Sequence, residues 1–223
     1  FVSSDDPKSN ALIMPLRTIP AGDERDKDVA LAIRYAVDNG ARIINMSFGK
    51  SFSPDHEMVN QAIQYAVKKD VLLIHAAGND GSNNDEVMNY PDGTLGKKKS
   101  AKTLLTIAAS NYAWTNSFLS DFSNYGGNSV DLAAPGVDVK SLEPNNGMKS
   151  QSGTSMAAPV VSGVAALIFG MDENISAKKV KKVLLTSAND LESYFENGVV
   201  GEHAPLRYPS CVSAANAIRF ISK

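Results

Sequence analysis

Apolar runs of strand length alternate along this chain with stretches of helical period. Residues 11–16 (ALIMPL) read as a buried strand, after which Val29, Ala32, Ile33, Ala36 and Val37 recur at i, i+3, i+4, i+7 and i+8 until Asn39-Gly40 ends the helix. Residues 42–46 (RIINM) form the next strand. Val59, Ala62, Ile63, Ala66 and Val67 repeat the helical spacing, and residues 71–77 (VLLIHAA) follow as another continuous apolar run. Residues 104–109 and 130–135 supply two further strands. Strands that are apolar at consecutive positions bury both faces. The pattern therefore predicts a three-layer α/β domain, a mostly parallel sheet with helices on both faces.

Residues 157–169 are apolar nearly all round, which predicts a helix buried among other elements. Ser176 is placed to cap a later helix whose Val180, Val183 and Leu184 face inward and whose Lys178, Lys179, Lys181 and Lys182 face solvent. Two polar stretches, residues 79–100 and 110–129, are longer than ordinary connections and are candidates for substrate contact. Neither an internal repeat nor a linker divides the chain, so residues 1–223 read as one domain.

A chain of this length buries roughly 70 to 75% of the surface it exposes when unfolded. With 43% hydrophobic and 21% charged residues and a net charge of -2, it has no basic excess to attract nucleic acid. The single cysteine, Cys211, excludes an internal disulfide and a cysteine metal cage, and reads as a small core residue. No apolar run reaches the roughly 18 to 20 residues of a membrane span. The first residues, FVSSDDPKSN, have neither a basic start nor an apolar signal core and read as the interior of a longer chain.

Two local motifs carry chemistry. Ser155 stands in SGTSMA, just before the apolar helix, where Thr154 or Ser155 could be a plain N-cap accepting a backbone N–H. Asn79 stands in HAAGNDG directly after a strand, where Asn-Asp-Gly could equally be a turn, but where parallel sheets also bind ligands. Together they suit a different use: a serine at a helix N-terminus gains from the helix dipole as charge develops, and a nearby amide donates to an oxyanion. The stretch NDGSNNDE offers oxygen ligands, but its spacing does not fit a calcium loop, and no metal or other cofactor is expected.

With GTSMAAP, AAGN, INMSFG, FSNYG and LAAPG in this order, the sequence resembles the C-terminal two-thirds of a subtilisin-like serine protease, a subtilase. The resemblance implies a subtilisin-like fold and an endopeptidase that cleaves peptide bonds through an acyl-serine intermediate. It implies Ser155 as nucleophile and Asn79 as oxyanion donor beside the Ser155 backbone N–H. Ser47, Phe48 and Gly49 resemble an edge that pairs with substrate backbone, and Ala76, Ala77 and Gly78 the opposite wall of the specificity pocket. The implied partner is a peptide or protein substrate, and the implied location is extracellular or in the cell envelope.

The family's aspartate and histidine segments, which precede these motifs, do not occur in this sequence. His56 lies near a helix start, His203 in a late loop and His75 within a strand, where a core histidine is the plainer reading. The expectation is that the N-terminal part of the domain, with both missing residues, lies upstream and that residues 1–223 alone are inactive; the alternative is a non-catalytic peptide-binding homologue. A different serine hydrolase, such as an esterase, is disfavoured because no G-x-S-x-G elbow is present. In the resembling fold these two walls carry no fixed charge, which implies a slot for a large apolar side chain, unless Asp85 or Glu86 reaches the floor and favours a basic one.

Overall fold

The structure is a computed structural model that describes residues 11–19, 22, 24–94, 101–111, 118–190, 206–208 and 210–222. Helices α1 (Asp26–Asp38) and α2 (His56–Lys68) form where the apolar stripes place them. Gly40 follows α1 at φ 82°, a backbone angle that suits glycine after a helix end. The two stripes pack on each other: Val29, Ile33 and Val37 share a buried cluster with Val59, Ile63 and Ala66.

Strands β1 (Ile43–Met46), β2 (Leu72–Ala76), β3 (Leu104–Ser110) and β4 (Leu132–Pro135) pair in parallel in that order. Beyond β4 the hairpin β5 (Val139–Glu143) and β6 (Gly147–Gln151) stands apart as a two-stranded ribbon. Two short strands, β7 (Asn189–Asp190) and β8 (Ser210–Cys211), extend the main sheet to six, ordered β1-β2-β3-β4-β8-β7, with β7 alone antiparallel. Cys211 is buried there, in keeping with its reading as a core residue.

The pleat sorts side chains between layers. Leu72, Ile74, Leu105, Ile107 and Leu132 face the helices α3 (Thr154–Met171), α4 (Ala177–Thr186) and α5 (Ala214–Ile221), whereas Leu73 and Leu104 face α1 and α2. The mostly parallel sheet with helices on both faces is thus as the apolar runs predict. Ser176 caps α4 as expected, its hydroxyl accepting from the Lys179 backbone N–H at 3.3 Å, and Val180, Val183 and Leu184 are buried.

Four expectations need correction. Residues 11–16 are not a buried strand: Leu12 is 96% and Ile13 85% exposed, and no ladder bonds join them to the sheet. An apolar run becomes a strand only when its backbone groups meet a neighbour, and β1 pairs with β2 on one edge only. Helix α3 is half-buried rather than enclosed, with Pro159 and Gly170 exposed, because it lies across one face of the sheet. By length and composition it would suffice to cross a bilayer, with 18 residues at mean hydropathy 1.7, so the absence of any such run does not hold. Lys181 leaves the solvated lysine face: Nζ donates to the Leu104 carbonyl and lies 3.8 Å from Asp131, and burial pushes its ammonium pKa down.

Candidate active site

The C-terminal ends of β1 and β2 and the N-terminus of α3 converge, which is where a parallel sheet leaves a crevice. This convergence brings together all the residues singled out by motif. Ser155 lies in the first turn of α3, half-buried, and its Oγ donates to the Ser47 carbonyl at 3.2 Å. The Ser47 hydroxyl donates back to the Ser155 carbonyl at 2.9 Å, so β1's extension and the helix start are tied by reciprocal bonds. Neither Thr154 nor Ser155 is an N-cap; Gly153 holds that position and no side chain caps α3.

Asn79 projects from the turn after β2. Its Oδ1 accepts from the Thr154 backbone N–H at 2.8 Å and from Thr154 Oγ1 at 3.0 Å. Thr154 Oγ1 in turn accepts from Gly78 N at 3.1 Å. With the oxygen occupied twice, the amide's orientation is set and its two Nδ2 hydrogens are left toward solvent, where Asn79 is exposed. The Ser155 backbone N–H, in a first helical turn, has no intrahelical acceptor.

The loop behind Asn79 is clasped by asparagines that motif reading missed. Asn124 Oδ1 accepts from Asp80 N at 2.9 Å and Ser82 N at 3.1 Å, and its Nδ2 donates to Asn84 Oδ1 at 3.0 Å. Gly78, at φ 108°, has to be glycine here, since a Cβ would sit 2.4 Å from Asn124 Nδ2. The signal in the sequence was the asparagine density of residues 79–89 together with FSNYG, but which amide reaches which backbone group depends on the folded loop.

Two walls flank the crevice, Ser47–Gly49 on one side and Ala76–Gly78 on the other, and the floor between them is not open. Asn89 fills it: Nδ2 donates to the Ala77 carbonyl at 2.8 Å and to Ala76 at 3.3 Å, while a Cβ on Gly49 would lie 2.7 Å from Oδ1. Asp85 and Glu86 do not reach this point. Asp85 accepts from Asn128 N, Asn128 Nδ2 and Ser129 Oγ, and Glu86 from Asn83. Burial raises the Asp85 pKa, but the Ser129 and Asn128 hydrogen bonds outweigh it and hold the carboxyl below its ordinary value.

No base stands beside Ser155 Oγ among the described residues. His56 is exposed at the start of α2, with its ring 5.1 Å from that of Tyr90, and His203 lies outside the described residues. His75 is 1% exposed within β2, its Nε2 2.8 Å from the Phe48 carbonyl. Burial holds the imidazole neutral, at a pKa of about 4 against an ordinary 6.5, with the Phe48 bond and the Asp92 charge opposing. As pH falls, the unfolded chain takes up this proton near 6.5 and the folded chain only near 4, so stability is lost across that window. The loss should reach about 3 kcal/mol at the lower end, at about 1.36 kcal/mol per pH unit. Urea unfolding at about pH 7 and about pH 4 measures it, and His75→Gln should remove that share; equal acid sensitivity in both proteins would show that His75 is not its source.

The chain is an α/β protein in which the segment carrying Ser155 and the amide of Asn79 meet where β1, β2 and α3 converge. A match to the peptidase S8 (subtilase) family spans residues 8–203, and the chain belongs to that family. It is 35% identical over 195 residues to the cell wall-associated protease of Bacillus subtilis (strain 168), covering 87% of this chain and 20% of that protein. To the major intracellular serine protease of the same organism it is 32% identical over 178 residues, covering 79% of this chain and 52% of that one. Among solved structures, the prenylagaramide maturation protease PagA superposes with a TM-score of 0.74 at 30% identity, over 94% of this chain and 72% of that one. The chain therefore spans only part of the length of these relatives.

Proposed function

We propose that these residues are the nucleophile-bearing part of a serine endopeptidase. The observation that supports this most directly is the pinning of Asn79 Oδ1 by Thr154, the residue immediately before Ser155. It leaves Asn79 Nδ2 and the Ser155 backbone N–H as two donors for one developing oxyanion beside one hydroxyl. In the reaction, Ser155 Oγ bonds to the substrate carbonyl carbon while its proton passes to a histidine. The tetrahedral intermediate then collapses with loss of the C–N bond, and the amine leaves with that proton. Water hydrolyses the acyl-serine by the same route. The histidine and its aspartate come from outside these 223 residues. The substrate is a peptide or protein laid along Ser47, Phe48 and Gly49, and an extracellular or cell-envelope setting accords with one relative and not with the other.

A fluorescent peptidyl phosphonate applied to a form of the protein that brings a histidine and an aspartate to Ser155 should label Ser155, located by peptide mapping, and Ser155→Ala should abolish labelling. Such a form that binds peptides yet is never labelled would instead support the non-catalytic reading, to which the bond from Ser155 Oγ to the Ser47 carbonyl lends weight.

Asn89 revises the expected specificity. With its amide between the walls, the slot suits a small acyl-side residue rather than a large apolar one. Asn89→Gly should raise kcat/KM for Phe over Ala at that position by about 10- to 100-fold, the scale on which pocket volume discriminates. An unchanged ranking in a peptide-library profile would show that Asn89 does not limit the slot.

A further inference from the structure

Within the cleft of that proposed endopeptidase, on which this inference rests, we propose that His75 is a positioning residue whose imidazole sets the separation of the two slot walls. The β1–β2 ladder ends at the pair Met46↔His75. Beyond it the chains part: Ser47–Gly49 becomes one wall, and Ala76–Gly78 the other. Past that pair Ala77 bonds to Ile107 on β3, while Lys50 pairs with Tyr90 and Asn89 donates to the Ala76 and Ala77 carbonyls, so beyond the ladder the walls meet through the floor segment and through His75. His75 belongs to the strand of one wall and reaches the Phe48 carbonyl in the middle of the other, at 2.8 Å.

The chemistry of the pair is one-directional. A carbonyl only accepts, so Nε2 carries the hydrogen, and burial keeps the ring neutral in that form at ordinary pH. Asp92, the charge that acts on the ring, is itself tied to Asn60 Nδ2 at 2.8 Å and to Thr94 Oγ1. A buried apolar side chain would fill the same space without the bond and would leave the Phe48 carbonyl without its donor, free to shift.

The test compares kcat/KM, in a form of the protein that brings a histidine and an aspartate to Ser155, for two peptides that differ only in having Ala or Phe on the acyl side. Wild type, His75→Leu and His75→Gln are measured. The ratio of the two constants is independent of how much of each preparation is folded, so a loss of stability by itself leaves it unchanged. His75→Leu should shift the ratio toward Phe by about 3- to 10-fold, the range that one neutral hydrogen bond contributes. His75→Gln, whose amide N–H falls near the same point, should return it to within about twofold of wild type. A ratio unchanged in His75→Leu, or shifted equally in both variants, overturns the positioning role and leaves the endopeptidase reading standing. Hydrolysis of neither peptide by the wild-type protein with that histidine and aspartate in place overturns that reading and this inference with it.

Discussion

Residues 1–223 alone are expected to hydrolyse peptide bonds about a millionfold more slowly than a form of the protein that brings a histidine and an aspartate to Ser155. The size of the effect is that found in subtilisin, a relative, when a member of its catalytic set is removed. The physical cause is local. A serine hydroxyl is a weak nucleophile until a base removes its proton as it attacks. Here that proton points to the Ser47 carbonyl, which cannot take it, and the imidazole of β2 is buried, neutral and committed to Phe48. The residual rate should equal that of Ser155→Ala in the same 223 residues. Phosphonate-sensitive turnover by the purified chain, lost in Ser155→Ala, would refute this and make His75 the first residue to re-examine.

Asn79→Ala in the form of the protein that brings a histidine and an aspartate to Ser155 should lower kcat by about 100- to 1000-fold, or roughly 2.7 to 4 kcal/mol, with a much smaller change in KM; this magnitude, too, is that of the subtilisin asparagine. The geometry determines the signature. Because Thr154 occupies Oδ1 through both its N–H and its hydroxyl, the Asn79 amide cannot turn over without losing two hydrogen bonds. Its N–H groups are therefore preorganised for charge that appears only in the transition state, which is why kcat and not KM responds. Asn79→Asp should be no better than Asn79→Ala, since a carboxylate in that place accepts but does not donate. A rise in KM with kcat intact would mark Asn79 as a binding or turn residue instead.

Much of this was legible in the chain because it rests on local pattern. Residues apolar at 3.6-residue spacing became α1 and α2, and runs apolar at consecutive positions became β2 and β3, since strands of a sheet covered on both faces bury every side chain. Ser155 and Asn79 were legible because a strand end and a helix start are encoded within a few residues of each. Three matters depended on partners distant in sequence. Residues 11–16 have strand composition but no neighbour to pair with. Lys181 belongs by spacing to a solvated face, yet is drawn under the sheet by Asp131, fifty residues away. The slot has no charged residue in either wall, yet its floor is filled by Asn89 from a third segment and its walls are bridged by His75. Periodicity and motif determine which surfaces each element buries and which chemical groups it carries; contacts between segments far apart in the chain decide where an amide or imidazole ends, because those distances exist only once the layers have packed.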